Sequence, residues 1–149
     1  MLDCGIYEVG GLTEPDPKLP AIVGWGTDVT VWAYSGTRDF SDPVIHEMSP
    51  YFHVTGDFPP TYISGGNADP LTDAQSKPLA TKLQSLGVEV TPLFFPADHR
   101  PALPHEYQFN LDDADGRTAL DATLAFMRRQ TRPAPSGATA AAGPGAAAR

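Results

Sequence analysis

Thr61-Tyr-Ile-Ser-Gly-Gly-Asn-Ala-Asp69-Pro-Leu71 decides the reading of this chain, together with His105-Glu-Tyr-Gln-Phe109, which begins thirty-six residues after Asp69. Thr61 to Ser64 is a β-favouring run that ends abruptly at Gly65-Gly66-Asn67, so it reads as a strand delivering a turn that carries a carboxylate. From Asp73, a residue type suited to an N-cap, Leu79, Leu83 and Leu86 recur at i, i+4 and i+7, and Gly87 stands where a helix C′ glycine belongs. Pro78 costs that helix one internal hydrogen bond or bends it near its start. Val88 to Phe95 is apolar almost throughout, the pattern of a strand covered on both faces. The loop after it carries His105. Strand, carboxylate turn, helix, strand and histidine loop is the order in which open α/β folds bring side chains to the carboxyl ends of their strands.

Outward from this centre, Leu2 to Tyr7 reads as a short buried strand, closed by Gly10-Gly11 and the loop Glu14 to Pro20. Trp25, Val29, Trp32 and Ala33 fall at helical spacing, which predicts a short helix opened by Thr27 or Asp28. Asp42-Pro43 reads as an N-cap with proline in the first turn, starting a helix that Pro50 stops, with Val44, Ile45 and Met48 on one side. Asp113 or Asp115 opens a last helix in which Leu120, Leu124 and Met127 share a face and Arg128 and Arg129 complement the C-terminal dipole. The alternation predicts an α/β protein of about three parallel strands with flanking helices over residues 1–130. Residues 131–149 hold three prolines, three glycines and otherwise mostly alanine, too little apolar bulk to offset ordering entropy, and a disordered tail is expected there.

Composition bounds the function. At 149 residues the chain is one domain, and 41% hydrophobic with 19% charged residues is ordinary for a protein with a packed core. A net charge of −8 argues against nucleic acid, whose affinity comes mainly from Lys and Arg on phosphates, and favours a small neutral or mildly polar ligand. Cys4, the one cysteine, makes no internal disulfide and reads as a small core residue in an apolar run. No apolar run approaches the roughly 20 residues that span a bilayer, and the N-terminus has neither a basic head nor a signal-type stretch, so a cytoplasmic protein without a membrane span is expected.

The run from Pro59 to Asp73, the helix ending Leu83-Gln-Ser-Leu-Gly87, the strand to Phe95-Pro96 and the later His105 together resemble the C-terminal half of an α/β-hydrolase, in the branch of hormone-sensitive-lipase-like carboxylesterases. The resemblance covers about Leu2 to Gln130 and makes the fold a partial α/β-hydrolase, its strands equivalent to the last three of eight. It implies a carboxylic-ester hydrolase (esterase or lipase type) acting on small acyl esters, with no cofactor. In that family the aspartate of a D-P-L turn is the triad acid, which falls on Asp69. The histidine precedes an aromatic and is the triad base, which falls on His105 with Tyr107 and Phe109 behind it. A serine hydroxyl is a poor nucleophile until an imidazole takes its proton, and the carboxylate fixes the imidazole tautomer.

The chain departs from the family pattern in identifiable places. The histidine is normally followed by glycine, where this chain has Glu106. The loop from Pro96 is longer than usual, which makes His99 the alternative base. No G-x-S-x-G occurs, and the nucleophile elbow and H-G-G-G-type oxyanion loop are expected upstream of Met1. Ser64 and Ser35 do not sit between a strand and a helix as an elbow requires. Asp98, His99, His105 and Glu106 match no metal-ligand spacing, so no metal is expected. Trp25, Trp32 and Tyr34 are candidates for an acyl-binding pocket, set against plain aromatic packing under a cap-like segment. An apolar first strand lacking a neighbour is expected to seek one, either a complementing N-terminal hydrolase half or a second copy of the chain. The alternative is an inactive truncated hydrolase that serves as an interaction module.

Overall fold

Three strands, β1 (Leu2–Asp3), β2 (Thr61–Gly65) and β3 (Val90–Phe94), lie side by side in chain order as one parallel sheet. The computed structural model describes residues 1–13 and 21–132; the Glu14 to Pro20 loop and nearly all of the expected disordered tail fall outside them. Leu2 pairs with Ile63, Thr61 with Val90, and Gly65 with Phe94. Among the described residues, five α-helices flank the strands: α1 (Ala21–Ser35), α2 (Pro43–Glu47), α3 (Pro50–His53), α4 (Lys77–Ser85) and α5 (Ala114–Gln130). The architecture is thus α/β, with a three-stranded parallel sheet and flanking helices.

Every residue of β2 is buried. Ile63 belongs to the main core cluster with Leu79, Ala80 and Leu83 of α4, while Tyr62, its neighbour on the opposite face of the pleat, packs its ring 6.0 Å from that of Phe126 in α5. A central parallel strand covered on both sides explains the unbroken burial. β3 is different: it pairs only with β2 among the described residues, its residues are partly exposed, and Pro92 sits in it as an edge strand allows.

α4 ends as its sequence demands. Gly87 has φ 82°, its N–H bonds to the Gln84 carbonyl at 3.0 Å, and the Val88 N–H reaches back to the Leu83 carbonyl at 3.0 Å. That pair of bonds is a Schellman closure, and it draws Val88 into the core with Leu83. Val88 is thereby spent on the helix cap, so β3 begins at Val90 and not at Val88. At the other end of α4, Asp73 is not a cap: it lies in a π-helical turn, Thr72–Ser76, and pairs with Lys77 at 2.5 Å. The widened turn comes immediately before Pro78, which lacks the N–H an α-helical ladder would need.

Elsewhere the sequence reading needs correction. β1 is two residues long, not six, because Cys4 turns left-handed at φ 52°. Beyond it the Tyr7 and Glu8 N–H groups are taken by the Gln75 side chain, at 3.0 and 2.8 Å, in place of a strand ladder. α1 begins at Ala21, well before Thr27, and buries Val31 against Val9 and Ile45, leaving Trp25 and Trp32 outside. Asp42 does cap α2, accepting the Val44 N–H at 3.0 Å. Pro50 both follows α2 and opens α3. Ile45 is buried and Met48 packs against it, whereas Val44 is exposed. In α5 the buried residues are Gly116, Ala119 and Phe126, while Leu120, Leu124 and Met127 remain partly exposed. Glycine at 116 allows a close approach, since a Cβ there would stand 2.0 Å from the Asn110 carbonyl oxygen of the preceding loop.

Candidate active site

Asp69 lies in the turn that leaves the carboxyl end of β2, and His105 in the loop that leaves β3. Their side chains meet, His105 Nδ1 to Asp69 Oδ2, at 3.0 Å. The carboxylate is 1% exposed and the imidazole 47%. Asp69 Oδ1 accepts the Leu71 N–H at 3.0 Å, and the Asp69 carbonyl accepts the Thr72 N–H at 3.0 Å, so the turn holds the carboxylate from behind. With Asp69 ionised, Nδ1 carries the donated proton, and Nε2, which has no hydrogen-bond partner among the described residues, is the nitrogen left to accept another.

The two glycines before Asp69 are there for close approach. A Cβ on Gly65 would be 2.2 Å from Thr72 Oγ1, and one on Gly66 would be 2.2 Å from the Leu103 carbonyl oxygen. Neither has a left-handed backbone. They let the turn and the histidine loop cross the end of β2 at contact distance. Asn67 then fastens that loop: its Oδ1 accepts the Leu103 N–H at 2.9 Å, and its Nδ2 donates to the carbonyls of His99 at 3.1 Å and Ala97 at 3.3 Å. The Ala68 N–H adds a bond to the Leu103 carbonyl at 2.9 Å. Asn67 is a positioning residue that sequence reasoning passed over, although an asparagine two residues before a turn aspartate was in view.

His99, the alternative base, is occupied elsewhere. Its Nε2 lies 3.0 Å from Asp115 Oδ2 at the start of α5, and its ring packs 4.6 Å from Phe95. The set Asp98, His99, His105 and Glu106 is therefore not assembled around one point. A different set is. Cys4, Asp69 and His105 place one donor atom each within 4.8 Å of one another. Cys4 is half-buried rather than part of the core, its S–H donates to Gln108 Oε1 at 3.5 Å, and its Sγ accepts the Glu106 N–H at 3.4 Å. Burial pushes the thiol pKa up, and the Asp69 carboxylate beside it adds to that against the pull of Glu106 N–H and Gln108. A protonated thiol is no nucleophile.

Glu106 has φ 61° and ψ 22°, the left-handed region in which glycine is at home. Tyr107 follows it into the core, 5.5 Å from the Phe95 ring, and its hydroxyl pKa is raised by burial. Ser64 donates to Asp3, and Ser35 donates to the Val31 carbonyl at 2.7 Å, so both serines are spent on structure. Trp25, Trp32 and Tyr34 are exposed on α1. Trp25 lines a hollow of about 170 Å³ with Asp28, Val29, Arg38 and Phe40, and Arg38 stacks over Trp32 at 4.4 Å. That hollow shares no lining residue with the Asp69–His105 pair.

No protein-family model, curated protein or solved structure matches the chain. Among the described residues, no helix is long and apolar enough to cross a membrane.

Proposed function

We propose that the chain carries the acid–base half of a carboxylic-ester hydrolase of the α/β-hydrolase fold, with His105 as the base, Asp69 as its orienting acid, and the nucleophilic serine supplied by a segment outside it. One observation carries the reading: a buried carboxylate at the carboxyl end of a parallel strand holds a half-exposed histidine through Nδ1 at 3.0 Å. Glu106 lends support, because it stands where the resembled family has glycine and adopts the left-handed conformation that glycine takes most easily. The order of strands in the sheet agrees with the last three of such a fold. Small acyl esters are the substrate class, and a cytoplasmic location suits a chain whose lone cysteine is a free thiol.

A second reading rests on β1, which among the described residues pairs on one side only and leaves an edge to add a strand. There the chain is an inactive remnant that joins a partner through β1. A fluorophosphonate probe with intact-mass readout separates the two. The chain alone stays unlabelled in either reading. Labelling of an added N-terminal hydrolase half that requires His105 supports the esterase; association with no labelling under any combination favours the interaction module.

A further inference from the structure

We propose that Cys4, Asp69 and His105 form a zinc-binding site, in which the metal ties up the histidine that the hydrolase reading needs as a free base. The three donors come from the carboxyl ends of three adjacent parallel strands: Cys4 directly after β1, Asp69 in the turn after β2, His105 in the loop after β3. Their donor atoms already lie within 4.8 Å of one another. Zinc bonded at its usual lengths, about 2.3 Å to sulfur and about 2.0–2.2 Å to nitrogen and oxygen, sets tetrahedral edges of about 3.4 Å between N and O and about 3.6 Å to S. The Asp69–His105 edge, at 3.0 Å, is somewhat short of that value, and the sulfur, within 4.8 Å of both partners, would have to move inward on binding.

The donor chemistry is selective. One thiolate, one imidazole and one carboxylate suit a borderline cation such as zinc and disfavour calcium or magnesium, which take oxygen ligands. A thiolate and a carboxylate together neutralise the dication, which matters beside a carboxylate that is 1% exposed. Outer contacts are in place: the Leu71 N–H holds the second Asp69 oxygen and the Glu106 N–H points at the sulfur. Three protein donors leave the fourth tetrahedral position to water. Zinc entering at Nδ1 releases the Cys4 thiol proton to solvent and shifts the imidazole proton from Nδ1 to Nε2. Nε2 can then no longer accept a proton, so the metal form and the base form exclude each other. The site rests on the geometry of the cluster and stands even if the hydrolase reading falls.

The test is a cobalt(II) titration of the full chain followed by zinc competition. One equivalent of cobalt should give a near-ultraviolet thiolate-to-metal charge-transfer band that zinc abolishes, and zinc should protect Cys4 from iodoacetamide. Cys4→Ser should remove the band, and loss of either Cys4 or His105 should weaken zinc binding by at least about 100-fold, no less than the loss of an outer-shell partner costs. Absence of the band in the wild-type chain, or alkylation of Cys4 at an unchanged rate in zinc, overturns the proposal whether or not the variants fold. Cobalt bound without charge transfer, as at His46 and His53, overturns it too. None of these readouts involves fluorophosphonate labelling, so failure here and failure of the esterase reading are distinguishable.

Discussion

Two histidine–aspartate pairs of equal length stand at this end of the sheet, and they are built differently. His105 meets Asp69 at 3.0 Å through Nδ1, with the carboxylate buried and the ring half in solvent. His99 meets Asp115 at 3.0 Å through Nε2, with side chains 24% and 18% exposed. The first leaves its far ring nitrogen without a hydrogen-bond partner among the described residues; the second spends that same nitrogen joining the histidine loop to α5. Distance does not tell the two pairs apart; which ring nitrogen is used, and which partner is withdrawn from water, does, and on that difference rests the proposal of His105 as the base.

The largest effect should break the symmetry of the pairs outright. With an added N-terminal hydrolase half, Asp69→Asn should lower the fluorophosphonate labelling rate by about 10⁴-fold, the cost of losing the orienting carboxylate in a triad. Asp115→Asn should change it by less than about threefold, and equal losses would erase the distinction drawn here. Next in size is the staple that the two pairs share. Asn67→Ala removes three loop bonds and leaves the Leu103 N–H without its acceptor, and should cost about 2 kcal/mol in denaturant melts. Gly66→Ala, which sets a Cβ 2.2 Å from a backbone carbonyl, should cost at least as much and should also loosen the His105 loop.

Smaller effects sharpen the comparison. His99→Ala should destabilise the fold by about 1 kcal/mol, since the pair is partly solvated, while leaving the His105 environment unchanged by NMR. Glu106→Gly should be neutral or stabilise by up to about 1 kcal/mol, because it relieves a left-handed non-glycine residue, whereas Glu106→Val should destabilise. Last, Cys4 alkylation in the presence of a chelator should have its pH midpoint above the usual thiol value of about 8.5, since burial favours the unreactive protonated form.

The parallel sheet was legible because its signals are local, whereas the Asp69–His105 contact, 36 residues apart, was anticipated only through the resemblance to a family motif. Thr61 to Ser64 running into two glycines, leucines at helical spacing before Gly87, and a turn aspartate followed by proline each fix backbone within a few residues. What escaped depends on distant partners. Cys4 meets Glu106 across 102 residues and Asn67 meets Leu103 across 36, and neither contact leaves a trace in its neighbourhood. The packing face of α5 also escaped: hydrophobic periodicity selects Leu120, Leu124 and Met127, but the buried residues are Gly116, Ala119 and Phe126. The early end of β1 follows from the left-handed Cys4, which no propensity scale anticipates.

The difference between the pairs can be read most directly from the tautomers of the two histidines in the neutral form, by long-range ¹H–¹⁵N correlation on the intact chain with chelator present. The expected result is His105 protonated at Nδ1, leaving Nε2 as the basic nitrogen, and His99 protonated at Nε2 toward Asp115. His105 protonated at Nε2, or both rings in the same tautomer, would contradict the assignment of His105 as a poised base and leave two structural pairs in its place.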